Sequence, residues 1–476
     1  MATLEKGHSR ALWGGPDEVQ VLDFRGTDAA LNEKLLSPVW QGYRGFWPLL
    51  FVTGLGVVML FTAITYTLIT GIGVWGNNNT DVWGYAIINF VWWIGIGHAG
   101  TFISAVLHLF HQPWRQSINR IAETMTLFAV VNAAIFPALH LGRAWFAYWL
   151  VPYPSTMGVW PNFRSALPWD FGAISTYGTV SLLFWYVGLV PDFAAVRDLA
   201  PSIGQRRFYG VLALGWRGSA QHWRHYRIAY LLLAGVATPL VISVHSIVST
   251  DFAIGLLPGW HSTVFPPYFV AGAIFSGFAM VLTILIPMRW WFRLYDVVTV
   301  KHLDAMAKIT LVTSWVVTYA YIIETFLAWY SGDTYEMYTL LVMRPFGPYA
   351  VGFWTMILCN SVVPQLLWFR ALRRNSFVLF IVSILVNVGM WFERFILIIT
   401  SQARDFLPSS WQFYWPTWID ASIFVGTIFF FLFLILLALR FIPIIPLTEV
   451  KELKHELAHG AAHEDRTPHT QPGRTA

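Results

Sequence analysis

Ten stretches of this 476-residue chain are apolar for long enough to cross a lipid bilayer. A spanning helix needs roughly 20 such residues, because each advances the axis by about 1.5 Å across about 30 Å of hydrocarbon. The runs lie near residues 46–71, 83–110, 119–149, 170–193, 227–250, 265–288, 303–330, 346–369, 377–401 and 417–442. Hydrocarbon offers the backbone no hydrogen-bond partners, so runs of this length fold as helices. A spanning barrel is excluded, because its strands alternate over about ten residues. The expected fold class is therefore an all-α integral membrane protein of about ten transmembrane helices. Only 12% of residues are charged, against about 25% in soluble domains. The net charge of +5 reflects topology, with no nucleic-acid partner expected, because the basic residues sit in short loops between apolar runs.

Orientation follows from where those residues fall. With the N-terminus inside, the inner loops hold fourteen Lys and Arg, including Arg115, Arg120, Arg197, Arg206, Arg207 and Arg217, while the outer loops hold only Arg164, Arg344 and Arg404. Cytoplasmic loops are the basic ones, so both termini are expected in the cytoplasm, the chain spanning a bacterial inner membrane. Residues 1–45 are polar without a signal-peptide pattern, residues 46–443 form the membrane domain, and 444–476 read as a cytoplasmic tail, helical at first and then disordered. The outer loops are aromatic and proline-rich, suited to ordered caps and to docking. The single cysteine, Cys359, rules out disulfides, Cys-ligated iron–sulfur clusters and attached haem within the chain. No cofactor or metal of its own is expected.

Two segments resemble each other. Residues 257–277 (LPGWHSTVFPPYFVAGAIFSG) and 407–426 (LPSSWQFYWPTWIDASIFVG) both open on Leu-Pro, pass a Trp and a Pro, and end in Ile-Phe-x-Gly. Helices 2–5 (about 83–250) and 6–9 (about 265–401) then read as two parallel copies of a four-helix bundle with flanking helices.

A charge at the bilayer centre costs about 2.5–3.5 kcal/mol on insertion scales, so each ionisable residue there is a functional candidate. The outer half holds His140, Arg143, Asp170, His245, Asp251, Glu324, Glu393, Arg394 and Asp420; the inner half holds His108, Glu123, Asp296, Asp304 and Lys308; His98 lies mid-span. His140 falls roughly 15 Å below the outer end of its run and Arg394 roughly 12 Å. Pro137 can kink the helix before His140. A histidine and a carboxylate near one face suit proton-coupled chemistry, and His140 with Asp170 is the pair favoured for it. Structural roles compete elsewhere: a hydrogen bond for His98, an ion pair of Glu393–Arg394 with Glu324, and an i,i+4 pair for Asp304–Lys308. The tail histidines His455, His459, His463 and His469 read as solvated.

Three functions are carried by membrane chains of this size. A membrane cytochrome b needs histidine pairs at two depths on the same two helices, and His98, His108, His140 and His245 do not fall that way. A secondary transporter with broken helices should show matching Gly/Pro interruptions in both halves, and none stands out. A quinol-oxidising subunit without cofactors of its own fits the polar pocket and the lone cysteine.

Four segments carry a resemblance: residues 89–130 (NFVWWIGIGHAGTFISAVLHLFHQPWRQSINRIAETMTLFAV), 137–145 (PALHLGRAW), 168–178 (PWDFGAISTYG) and 387–398 (NVGMWFERFILI). They resemble the NrfD/polysulfide-reductase-like family of membrane subunits, and within it the ten-helix quinol oxidisers of bacterial alternative complex III. The resemblance implies a haem-free subunit that takes electrons from quinol or menaquinol. It implies an iron–sulfur subunit docked on the outer face, multihaem cytochrome c subunits, a paralogous ten-helix subunit, surrounding lipids, and a terminal cytochrome c oxidase as a further partner. Iron–sulfur clusters and haem c would lie in those partners. It maps the head-group residues onto His140 and Asp170. Arg394, at a similar estimated depth, and His98 are expected as further quinone contacts. Related subunits of hydrogenase, polysulfide and nitrite reductase complexes are the alternative, some of them reducing quinone. Proton translocation would run through Glu123, His245 and Asp251 in the first bundle and Lys308, Glu324 and Glu393 in the second.

Overall fold

A computed structural model describes residues 21–151, 166–404, 407–443 and 445–464. Arg164 and His469 lie outside these residues. All regular secondary structure among them is helical, and ten helices are long and apolar enough to span a membrane. We number the principal helices α1 (Asp28–Gln41), α2 (Phe46–Thr70), α3 (Tyr85–Thr101), α4 (Asn119–His140), α5 (Ala166–Leu199), α6 (Ile203–Leu212), α7 (Ala220–Ala253), α8 (Phe265–Trp291), α9 (Val300–Ser331), α10 (Ala350–Ile357), α11 (Ser376–Gln402), α12 (Trp418–Phe441) and α13 (Leu447–Glu464). Helix α3 runs on through a π turn at Phe102–Val106 to Leu109, and α10 continues through a π turn and a 3₁₀ stretch to Trp368.

Two of the sequence boundaries shift for local reasons. The third span ends at His140, nine residues short of the apolar run. Gly142 turns the backbone at φ 71°, a left-handed conformation that glycine adopts without strain, and Ala144–Leu150 then coils as a 3₁₀ turn. The eighth span breaks where Pro364 opens its last turns, since proline has no N–H for the ladder.

Helix α3 is the centre of the molecule. It is 89% buried over its apolar window, against 28% for α2. It packs on α4, α7, α8 and α11, while α8 packs on α3, α7, α9 and α11. Small residues allow the close crossings: a Cβ at Gly100 would fall 2.1 Å from the Ala122 carbonyl oxygen on α4, and one at Gly277 would fall 2.4 Å from Ala99 Cβ. Helix α2 lies on the outside and packs chiefly on α12.

The tail is more ordered at its start than a solvated extension. Helix α13 folds back onto α1, α5 and the turn at Pro113–Ser117, burying Leu447, Val450 and Leu453. Lys454 and His455 meet Asp28 at 2.7 and 3.2 Å. Of the tail histidines, His455 is thus paired, and His459 Nδ1 lies 2.7 Å from the His455 carbonyl.

Candidate functional site

His140 closes α4 and is buried. Its ring stacks on Trp83 at 4.6 Å and 18° and meets Phe90 edge-on at 6.0 Å. Trp83 Nε1 donates to the His140 carbonyl at 3.1 Å. One ring N–H of His140 donates to the Ala86 carbonyl, and Nε2 has no partner among the described residues. The histidine is thus clamped by the loop before α3 and by the first turn of α3, with one nitrogen uncommitted. A buried polar atom without a partner calls for a ligand, a water or a functional reason.

Asp170 sits in the first turns of α5, at the same end of the molecule, and is buried. Its carboxyl meets that of Asp251, near the end of α7, and its Oδ1 lacks a partner among the described residues. Two carboxyls in contact hold a proton between them, because like charges that close cannot both persist. The sequence placed Asp251 on a proton path; the fold puts it against Asp170.

From this end a polar column runs inward. Tyr177 follows Asp170 by two turns on α5, and His245 precedes Asp251 by six residues, roughly 9 Å, on α7. Both meet His98: Tyr177 stacks on it at 5.1 Å, and His245 meets it edge-on at 4.8 Å. Tyr177 Oη bonds the Gly97 carbonyl at 2.8 Å and lies 2.7 Å from Thr101 Oγ1. His98 Nε2 and both His245 nitrogens have no partner among the described residues. His98 thus joins His245. It does not join His140, whose Ala86 contact lies twelve residues, roughly 18 Å, back along α3.

Arg394 lies elsewhere too. Its guanidinium covers the Phe269 ring at 4.1 Å and pairs with Glu393 at 2.8 Å; His245 packs on the same Phe269 at 5.8 Å. The triple ion pair expected with Glu324 is not formed: Glu324 bonds Arg344 at 2.9 Å instead. Arg344 arrives from the α9–α10 connection, a partner no sequence spacing marks. Glu393 also accepts a short hydrogen bond from Tyr321, whose oxygen takes a bond from Asn360 at 2.8 Å. A cavity of about 50 Å³ lies beside Tyr321, Glu324, Arg344 and Glu393, large enough for water. Lys308 does pair with Asp304, at 2.8 Å, and Arg373 joins them at 2.7 Å. Asp420 caps α12, accepting from Thr417 N and Gly76 N at 2.9 and 2.8 Å. No metal-binding cluster of His, Cys, Asp and Glu occurs among the described residues.

The loop that carries Trp83 has a titratable group of its own, which no spacing in the sequence marks. Asp81 is fully buried, and its one side-chain donor among the described residues is Asn78 at 3.4 Å. Burial pushes its carboxyl up to about 7, from about 4 in an unfolded chain. Between these values the folded state holds a proton that the unfolded state has released, so the contribution of Asp81 to stability is greatest below pH about 4 and is lost as the pH rises to about 7. Asp81→Asn is expected to abolish that slope in thermal midpoints of the purified protein. An unchanged slope refutes the assignment.

Comparison with known proteins adds two findings. The family model described as polysulphide reductase, NrfD, matches residues 73–405. A protein of Halobacterium salinarum, whose assigned name makes it a membrane component of a dimethyl sulfoxide reductase, is 26% identical over 427 residues, covering 85% of this chain and 91% of its own.

Proposed function

Since the chain belongs to the polysulphide reductase NrfD family, we propose that it is the quinol-oxidising membrane subunit of a respiratory complex of the alternative complex III type. The observation that carries this reading is the two uncommitted buried atoms, His140 Nε2 and Asp170 Oδ1, at the same end of the helices, His140 stacked on Trp83. A quinol head group has two hydroxyls and needs two acceptors. Nε2 of His140 takes one proton, and the Asp170–Asp251 pair bonds the second hydroxyl and takes the other. Two electrons leave one at a time for an iron–sulfur subunit docked over this end, and haem c subunits carry them onward. The product is quinone, two electrons and two protons. The orientation expected from the basic loops puts this chemistry on the outer face of a bacterial inner membrane.

The proton-path residues divide by contact. His245 and Asp251 belong to the column below the head group, with His98 as a relay residue in place of a quinone contact. Glu324 and Glu393 line the cavity in the second half of the chain, where Arg394 neutralises Glu393.

One observation favours a second reading. The Halobacterium relative is named for a dimethyl sulfoxide reductase, so the same site would serve a reductase complex as its membrane anchor. The two readings separate when the complex is purified through this chain and given a reduced short-chain naphthoquinol. Bound haem c should become reduced, seen in the visible spectrum. A complex that lacks haem c and instead passes quinol electrons to a sulfoxide or a sulfur compound would establish the second reading.

A further inference from the structure

At the arginine-rich end of the molecule, opposite His140, five charged side chains meet out of reach of solvent. Arg120 and Glu123 come from α4, Asp192 from α5, Arg115 from the turn before α4, and Glu449 from the tail helix α13. Each is more than nine-tenths buried. Arg120 bonds Glu123 at 2.8 Å and Asp192 at 3.3 Å; Arg115 pairs with Glu449 at 3.1 Å. Asn119 links the two halves, donating to Glu449 at 2.8 Å and accepting from the Arg120 backbone N–H at 2.9 Å.

The charges do not balance. Two guanidiniums, which never release their protons in a protein, stand against three carboxyls. With every carboxyl ionised the cluster carries a net negative charge, and an uncompensated buried charge is strongly disfavoured. Among the described residues, no neighbouring side chain supplies the missing positive charge. His108 Nδ1 lies 2.8 Å from Arg115 Nη2; a guanidinium nitrogen only donates, so Nδ1 is the acceptor and the imidazole is neutral. Tyr230 donates to Glu123 at 3.1 Å, and Tyr226, stacked on Tyr230, is a neutral phenol. Arg227 is already engaged with Glu452, at 3.6 Å on the exposed side of α13.

We propose that this cluster is a proton-binding site that holds one proton among its carboxyls. Asp192 is the best supplied with donors: Arg120, the Thr448 N–H at 3.2 Å and the Thr448 hydroxyl at 3.0 Å all point at it. It stays ionised. Arg115 Nη1 and Arg120 Nε have no hydrogen-bond partners among the described residues, so the cluster has open positions at which a water can bind and exchange a proton. The tail helix supplies the third carboxyl, and without it the two arginines and two remaining acids would balance. The site is a place where a proton is taken up or delivered at the end of the molecule opposite the quinol pocket, and it stands whether or not that pocket oxidises quinol.

Infrared spectra of the resting protein in lipid nanodiscs test the charge count, through the carbonyl stretch of protonated carboxylic acids. Glu449→Gln leaves two arginines facing two carboxylates, so the variant is expected to lose the signal of one carboxylic acid per chain. Glu123→Gln should lose the same signal. Arg115→Gln leaves one cation facing three acids and should gain a second carboxylic acid. Full retention of the wild-type signal in both Gln variants overturns the proposal, as does an Arg115→Gln spectrum without the added acid. Glu449 lies outside the membrane helices, so Glu449→Gln carries the test even where Glu123→Gln fails to assemble.

Discussion

His140→Ala is expected to lower quinol-dependent electron delivery by about 10²–10⁴-fold, the range in which a positioned proton acceptor contributes, while the complex still assembles. The ring is held by Trp83 on one face and Ala86 on one nitrogen, so its removal takes away the uncommitted nitrogen without breaking an ion pair. The stack with Trp83 is lost as well, and a stability effect must be told apart from a chemical one. Asp170→Asn makes that separation, because the amide keeps the size of the side chain and replaces the shared proton with a fixed donor. Both variants should retain the wild-type set of partner subunits on size-exclusion chromatography and show turnover near background. An assembled variant that turns over within twofold of wild type removes its residue from the chemistry.

The second large effect concerns packing. Gly100→Ala puts a methyl 2.1 Å from the Ala122 carbonyl oxygen and 2.0 Å from Thr126 Oγ1. The threonine can turn away; the carbonyl belongs to the α4 backbone and cannot. Overpacking a tight contact costs about 1–3 kcal/mol. Here the strain falls on the crossing of α3 with α4 that holds both His98 and the end of α4. A fall in thermal midpoint is expected, with a larger loss for Gly100→Leu. Midpoints within a degree of wild type for both would mean that the helices separate more freely than this crossing implies.

The helices themselves could be read from the chain because hydrocarbon imposes one rule on every span: length and apolarity suffice. The ends were harder. Gly142 ends α4, yet a glycine in an apolar run reads equally well as a packing residue, as Gly100 is. Pairing within one helix was legible too, since Asp304 and Lys308 lie one turn apart. Pairing between helices was not. Glu324 finds Arg344 from the next connection in place of Arg394, and Asp170 finds Asp251 some eighty residues away. A single sequence carries no distance between helices, so nothing in it favours one partner over another of suitable charge. Glu449 was the least visible of all, since a charged tail ordinarily remains in water.

The seat of α2 against α12 has a consequence for how the protein is made. Of the ten spans described, the first to be synthesised has its main packing partner in the tenth, and roughly 350 residues separate the two. At about 5–20 residues per second, α2 waits on the order of half a minute in the bilayer with its buried stripe of Thr53, Gly56, Leu60 and Ala63 facing lipid. Helices α3 to α11 can meet their own neighbours in the meantime, so biogenesis builds this ten-helix domain from the middle outward and closes it when α12 reaches α2.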